Sequence, residues 1–111
     1  MTHREFEHAD LHAQRVETGA PYLEFLRNES FELGLYELAA GSIDGQRPHD
    51  EDEVYVVLAG RARFSVDGDD VAVGPGSILF VAKHAVHRFH SIEQDLSIFV
   101  AFTPPRRRDR A

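Results

Sequence analysis

From residue 22 onward the sequence alternates with a period of two, and this alternation narrows the choice of fold more than any other feature. Eight segments carry it: YLEFLRN (22–28), FELGLYEL (31–38), EVYVVLAG (53–60), RARFSVDG (61–68), DVAVGPG (70–76), SILFVAK (77–83), HRFHSI (87–92) and LSIFVAF (96–102). Side chains of a strand point alternately to its two faces, so such segments bury one face and expose the other. Their Val, Ile, Phe and Tyr content suits strands, and Gly, Asp, Asn or Pro punctuates them. DGDD (67–70) predicts a hairpin turn, because Asp-Gly accepts the positive φ that tight hairpins need. GPG (74–76) predicts a second turn, with proline setting φ and the glycines supplying conformations closed to other residues. A set of short antiparallel strands predicts an all-β sandwich or barrel that closes its own edges. Helix is expected only within residues 5–18, where Phe6, Ala9, Leu11, Ala13 and Val16 form an imperfect stripe. A helix and an arm that pairs with another subunit are both open there.

The chain has 111 residues, room for one domain. We divide it into an N-terminal arm (1–20), a β-barrel (21–103) and a basic C-terminal tail (104–111). With 42% apolar residues and eight Phe it can build a core, and 28% charged residues is ordinary for a folded domain. A net charge of −7 argues against nucleic acid or an anionic membrane as partner. The exception is RRRDR (106–110), read as a solvated, disordered tail. The absence of cysteine excludes disulfides, thiolate ligands and cysteine nucleophiles. Apolar runs such as SILFVA (77–82) are too short to cross a bilayer, and the polar N-terminus lacks a signal-peptide core. A cytoplasmic protein is expected.

The chemistry centres on QRPHDEDEVYVVLAG (46–60), in which a histidine and successive carboxylates precede a strand. Of seven histidines, His3, His8 and His12 lie in the polar N-terminal segment and read as surface residues. His49, His84, His87 and His90 fall at strand ends. Two imidazoles and one carboxylate form the facial set used by non-haem iron, and imidazole also suits Zn, Cu and Ni. Alternation puts Glu53, Tyr55 and Val57 on one face of their strand, and His87 and Phe89 on one face of theirs. Asp50, Glu51 and Asp52 read mainly as a solvated acidic rim, and His84 and His90 as hydrogen-bonded rim residues.

From Gly41 to Phe89 the chain resembles a small single-domain cupin, the double-stranded β-helix family. Gly41, five residues, Arg47-Pro48-His49, three residues, Glu53, six residues and Gly60 follow the first cupin motif, with Arg47 where the motif has its first His. GDDVAVGPGSILFVAKHAVHRF resembles the second, with Gly68 opening it, Pro75-Gly76 at the turn and His87 at the metal-binding position. The resemblance implies a single antiparallel jelly-roll barrel. It implies a divalent metal (Fe, Mn, Ni, Co, Cu or Zn) held by His49, Glu53 and His87, with Gln46 or Glu51 open as a fourth ligand. Arg47 cannot ligate a cation, so it turns away, pairs with Asp50 or Glu51, or replaces the metal as the positive charge. Arg47, Gln46, Tyr55 and Phe89 are expected to line a pocket for a small-molecule ligand. The activity implied is a metal-dependent dioxygenase or other oxidoreductase. A non-catalytic module for a sugar or anion, and a metal-assisted sugar isomerase or epimerase, are the alternatives. A homodimer is expected, with YLEFLRN as the pairing edge.

Overall fold

A computed structural model describes residues 2–108. A helix, α1 (His8–Thr18), precedes six strands: β1 (Tyr22–Arg27), β2 (Glu32–Leu38), β3 (Asp52–Val66), β4 (Asp69–Val73), β5 (Ile78–Val81) and β6 (His87–Thr103). The sheet order is β1-β2-β6-β3-β4, with β5 sharing with β4 the edge of β3 that faces away from β6, and all pairings are antiparallel. The long strands β3 and β6 run together from Asp52↔Thr103 to Val66↔His87 and form the spine. β5 pairs with the first half of β3 and β4 with the second, so the two halves belong to different walls of a curled jelly roll.

Eight predicted strands become six because two expected breaks are bulges inside continuous strands. Inward residues of β3 are Glu53, Tyr55 and Val57 before the irregularity, and Ala62 and Phe64 after it. Inward parity therefore changes by one residue, which a bulge accomplishes without ending the strand. Gly60 sits in this stretch with φ 92°, and a methyl carbon there would lie 2.3 Å from the Asp95 carbonyl oxygen. The partner strand changes parity as well, from His87 and Phe89 to Ile92, Leu96, Ile98, Val100 and Phe102, with Ser91 at φ 50°. The predicted turn at 67–70 is present, with Asp67 and Gly68 both at positive φ and Val66 opposite Asp69. The core is built around Tyr55, Phe64, Phe89, Leu96 and Ile98.

The N-terminal segment takes the helical alternative. α1 ends at Gly19 (φ 74°), whose N–H bonds to the Val16 carbonyl. Leu11 is buried, and Phe6 stacks on Phe25 at 4.8 Å. His8 and His12 are exposed, as expected, and also make contacts with the sheet. His8 Nε2 lies 2.7 Å from the Ser97 hydroxyl, and His12 and Arg15 both reach Glu37, tying the helix to the sheet.

The C-terminal tail also differs from expectation. Arg106 lies over the rings of Phe102 (4.4 Å) and Tyr22 (4.8 Å) and bonds to Glu32 at 2.7 Å. Glu32 is fully buried and needs a cation beside it, which is why the chain turns back here. Residues 109–111, part of the same expected tail, lie outside the described residues. Among the described residues no helix is long and apolar enough to cross a membrane.

Candidate metal centre

Three side chains from three segments meet inside the barrel. Glu53 is the first inward residue of β3, His87 opens β6, and His49 comes from the β2–β3 connection. One donor atom from each lies within 4.8 Å of the others, and no other such group occurs among the described residues. His87 Nε2 is 3.2 Å from Glu53 Oε1, with both side chains about 1% exposed. The His49 ring lies 5.8 Å from that of His87 and meets Phe102 edge-on at 5.1 Å.

The donors are oriented for a cation. The Nδ1 of His87 is 2.8 Å from the Ala85 carbonyl oxygen, which fixes the proton on Nδ1 in the neutral ring and turns the Nε2 lone pair inward. Both Glu53 oxygens and His87 Nε2 are buried without a hydrogen-bond partner among the described residues. The 3.2 Å approach has the distance of an ion pair but not the direction of a hydrogen bond. Buried polar atoms left this way are costly, and a bound ion is one arrangement that satisfies them. Two ligand bonds of about 2.1 Å span at most about 4.2 Å, so the donor set fits one ion after drawing in by a fraction of an ångström.

Burial pushes the His49 pKa below its ordinary value, with Arg106 and His87 adding to the shift and Glu53 only partly opposing it. Burial would also lower that of His87, but Glu53 and the Ala85 carbonyl outweigh it and raise it.

Asp44 anchors the surroundings, and the sequence gives no sign of it: periodicity is silent in the connecting segment. Buried, it accepts hydrogen bonds from the Tyr36 hydroxyl (2.7 Å), the Gln46 side-chain amide (2.8 Å) and the Phe89 backbone N–H (2.9 Å). Tyr55 donates to Gln46 Oε1 at 2.8 Å, and burial together with nearby Glu53 raises the phenol pKa well above its usual value. Glu51 stands outside the ligand cluster, and the Gln46 side chain is engaged by Asp44 and Tyr55. Glu51 is also no part of a solvated rim: it is buried, and burial raises its pKa. Asp50 and His84 pair at 3.0 Å, and His90 reaches Asp70 at 3.2 Å.

Two cavities open at the site and share Gly45, His49 and Arg106. The inner one, about 390 Å³, is lined by Glu53, Tyr55, Gln46, Tyr22, Tyr36 and Phe102, among others. The outer mouth, about 510 Å³, holds Arg47, which is exposed. Phe89 does not line either: it packs in the core, 4.7 Å from Phe64 and 5.1 Å from Tyr55, because inward residues this deep on β6 meet other side chains instead of open space.

An antiparallel jelly roll with two histidines and a glutamate at one end of its interior is the architecture of a cupin. The cupin domain family model matches residues 34–102, and the chain belongs to that family. It is 43% identical over 96 residues to an uncharacterized protein of Streptomyces coelicolor, an alignment covering 86% of this chain and 91% of the relative. Among solved structures, KdgF from Halomonas sp. superposes with a TM-score of 0.71 at 19% identity, covering 81% of this chain and 82% of that one. An RmlC-like cupin from Shewanella frigidimarina gives 0.71 at 20% identity, covering 81% and 79%. A predicted oxalate decarboxylase from Thermotoga maritima gives 0.66 at 22%, covering 75% and 78%. At these identities the structural likeness speaks for the fold alone.

Proposed function

We propose that this cupin binds a divalent metal ion through His49, Glu53 and His87 and acts on a small molecule held in the inner cavity, as a metal-dependent dioxygenase or related oxidoreductase. The observation that carries the reading is the buried group of unpartnered donor atoms, Glu53 Oε1, Glu53 Oε2 and His87 Nε2, beside His49. A metal held by three protein ligands keeps positions open for substrate and supplies Lewis-acid or redox chemistry there. The chain's own groups do the rest. Ala85 holds the His87 ring in the ligating tautomer. Burial keeps His49 neutral at neutral pH, with its lone pair available. Asp44, Gln46 and Tyr55 brace the wall, and Val100 and Phe102 give it an apolar surface. The test is elemental analysis of the purified parent beside His49→Ala, Glu53→Ala and His87→Ala. Near-stoichiometric metal is expected in the parent and loss in each variant with the fold retained; unchanged metal in the variants would place the ligands elsewhere.

The second reading, a binding module without turnover, is favoured by the arginines at the mouth. It requires saturable ligand binding that survives chelation. Under either reading we propose a homodimer. Supporting it, Ile78 and Phe80 on β5 are 73% and 65% exposed, beside Val56 and Val54 of β3, and β1 is an edge strand.

A further inference from the structure

The mouth above the candidate metal centre has the opposite sign to the protein as a whole. On a chain of net charge −7, five arginines line it: Arg27, Arg47, Arg106, Arg107 and Arg108. Three glutamates, Glu24, Glu32 and Glu51, share the lining. Glu32 is bound by Arg27 and Arg106, and Glu24 by Arg27 and Arg108. Arg47 is exposed at the rim and pairs with no carboxylate among the described residues. A guanidinium offers a planar pair of donors that matches a carboxylate, and a concave mouth with low-dielectric walls concentrates its field on an entering anion. Arg47 is two residues from His49, so an anion held there lies next to a metal ligand.

The inner cavity narrows the class further. Its polar groups include the hydroxyls of Tyr22, Tyr36 and Tyr55, each already donating, to Glu32, Asp44 and Gln46 respectively, while Gln46 and Arg106 donate to Asp44 and Glu32, and His49 and Glu53 are the candidate ligands. The apolar lining includes Leu38, Ile43, Val100 and Phe102. Few donors are left for a polyhydroxylated ring, whereas a short apolar body fits.

We infer that the ligand is a small organic dianion: its chelating end enters the inner cavity, and its second carboxylate is held at the mouth by Arg47. The inference rests on the metal reading for the chelating end only.

Two probes with the same α-hydroxycarboxylate head separate the ends, 2-hydroxyglutarate and 2-hydroxybutyrate, titrated calorimetrically into Co²⁺-loaded protein. The cobalt absorption spectrum reports head coordination independently of the mouth. The dianion should bind about tenfold or more tightly than the monoanion, the scale of one charge-assisted hydrogen-bonded pair. Arg47→Gln should erase that preference while leaving 2-hydroxybutyrate affinity and cobalt content unchanged, and Arg47→Lys should restore part of it. Equal affinities in the parent, or a preference that survives Arg47→Gln, overturn the assignment. A parent that does not retain Co²⁺ fails the metal reading instead; a dianion preference in that protein, lost in Arg47→Gln, still supports the Arg47 anchor, and no preference there ends it.

Discussion

His87 stands 3.2 Å from Glu53, although its partner in the β3–β6 ladder is Val66, thirteen residues further along β3. An extended strand would separate positions 53 and 66 by about 40 Å. The contact therefore exists only because the β3–β6 ribbon curls back on itself, and the site belongs to the closed barrel, not to either strand.

A metal bound by the proposed ligands would tie the two ends of the ribbon together and stabilise the folded state selectively. Free metal at about 100 times Kd should add about 2.7 kcal/mol, on the order of 10 °C in Tm for a domain this size. Differential scanning fluorimetry should show the rise in the parent, its reversal by EDTA and none in Glu53→Ala. An equal rise in that variant would mean that the metal binds elsewhere.

Asp44 accepts hydrogen bonds from Tyr36, Gln46 and the Phe89 backbone. Asp44→Asn places an NH₂ group among these donors and should cost about 2–3 kcal/mol in urea denaturation. Metal affinity should fall about tenfold, since the bonded segments carry the proposed ligands. Unchanged stability would show that Asp44 does not brace the site.

Burial alone would raise the Glu32 pKa, but hydrogen bonds from Arg106 and Tyr22 outweigh it and hold the group below its usual 4.5. A depressed folded pKa gives stability that is present above the unfolded value and is lost as pH falls through the folded one. Glu32→Gln should therefore cost about 1.5–3 kcal/mol at neutral pH. The gap to the parent should close as pH drops below 4.5. A gap that stays constant from neutral pH into that acid range would refute the assignment.

Gly60→Ala introduces a methyl carbon 2.3 Å from the Asp95 carbonyl oxygen at φ 92°. Backbone opposes it on both counts, so we expect about 2–4 kcal/mol of destabilisation. Gly68→Ala, also at positive φ but with nothing near the added carbon, should cost less. Chemical denaturation of the two variants measures the difference, and equal costs would mean that the contact is relieved by a shift of β6.

Phe80→Lys places a charge on the exposed apolar strip of β5. If that strip joins two copies, light scattering after gel filtration should show a dimeric parent and a monomeric variant with unchanged circular dichroism. A dimeric variant would direct attention to the β1 edge.

Local pattern in the sequence was enough for the strand-forming segments and the Asp67-Gly68 hairpin, while the cupin resemblance singled out the three residues that converge in the barrel. Alternation reports which face a residue takes, and positive φ restricts which residues make tight turns, so both leave marks within a few positions. It did not show that the chain passes Gly60 and Ser91 without ending a strand, because parity there depends on which face the partner strand buries. Asp44, Glu51 and Arg106 escaped for a related reason: they lie in segments without periodicity, and their burial comes from groups distant in sequence. Phe89 shows the same limit, since alternation placed it inward but not whether core or cavity lay opposite. The approach of Glu53 to His87 was decided by tertiary structure alone. Side-chain identity determines what a residue can ligate, whereas the distance between two residues 34 positions apart is set by how a bulged ribbon closes on itself.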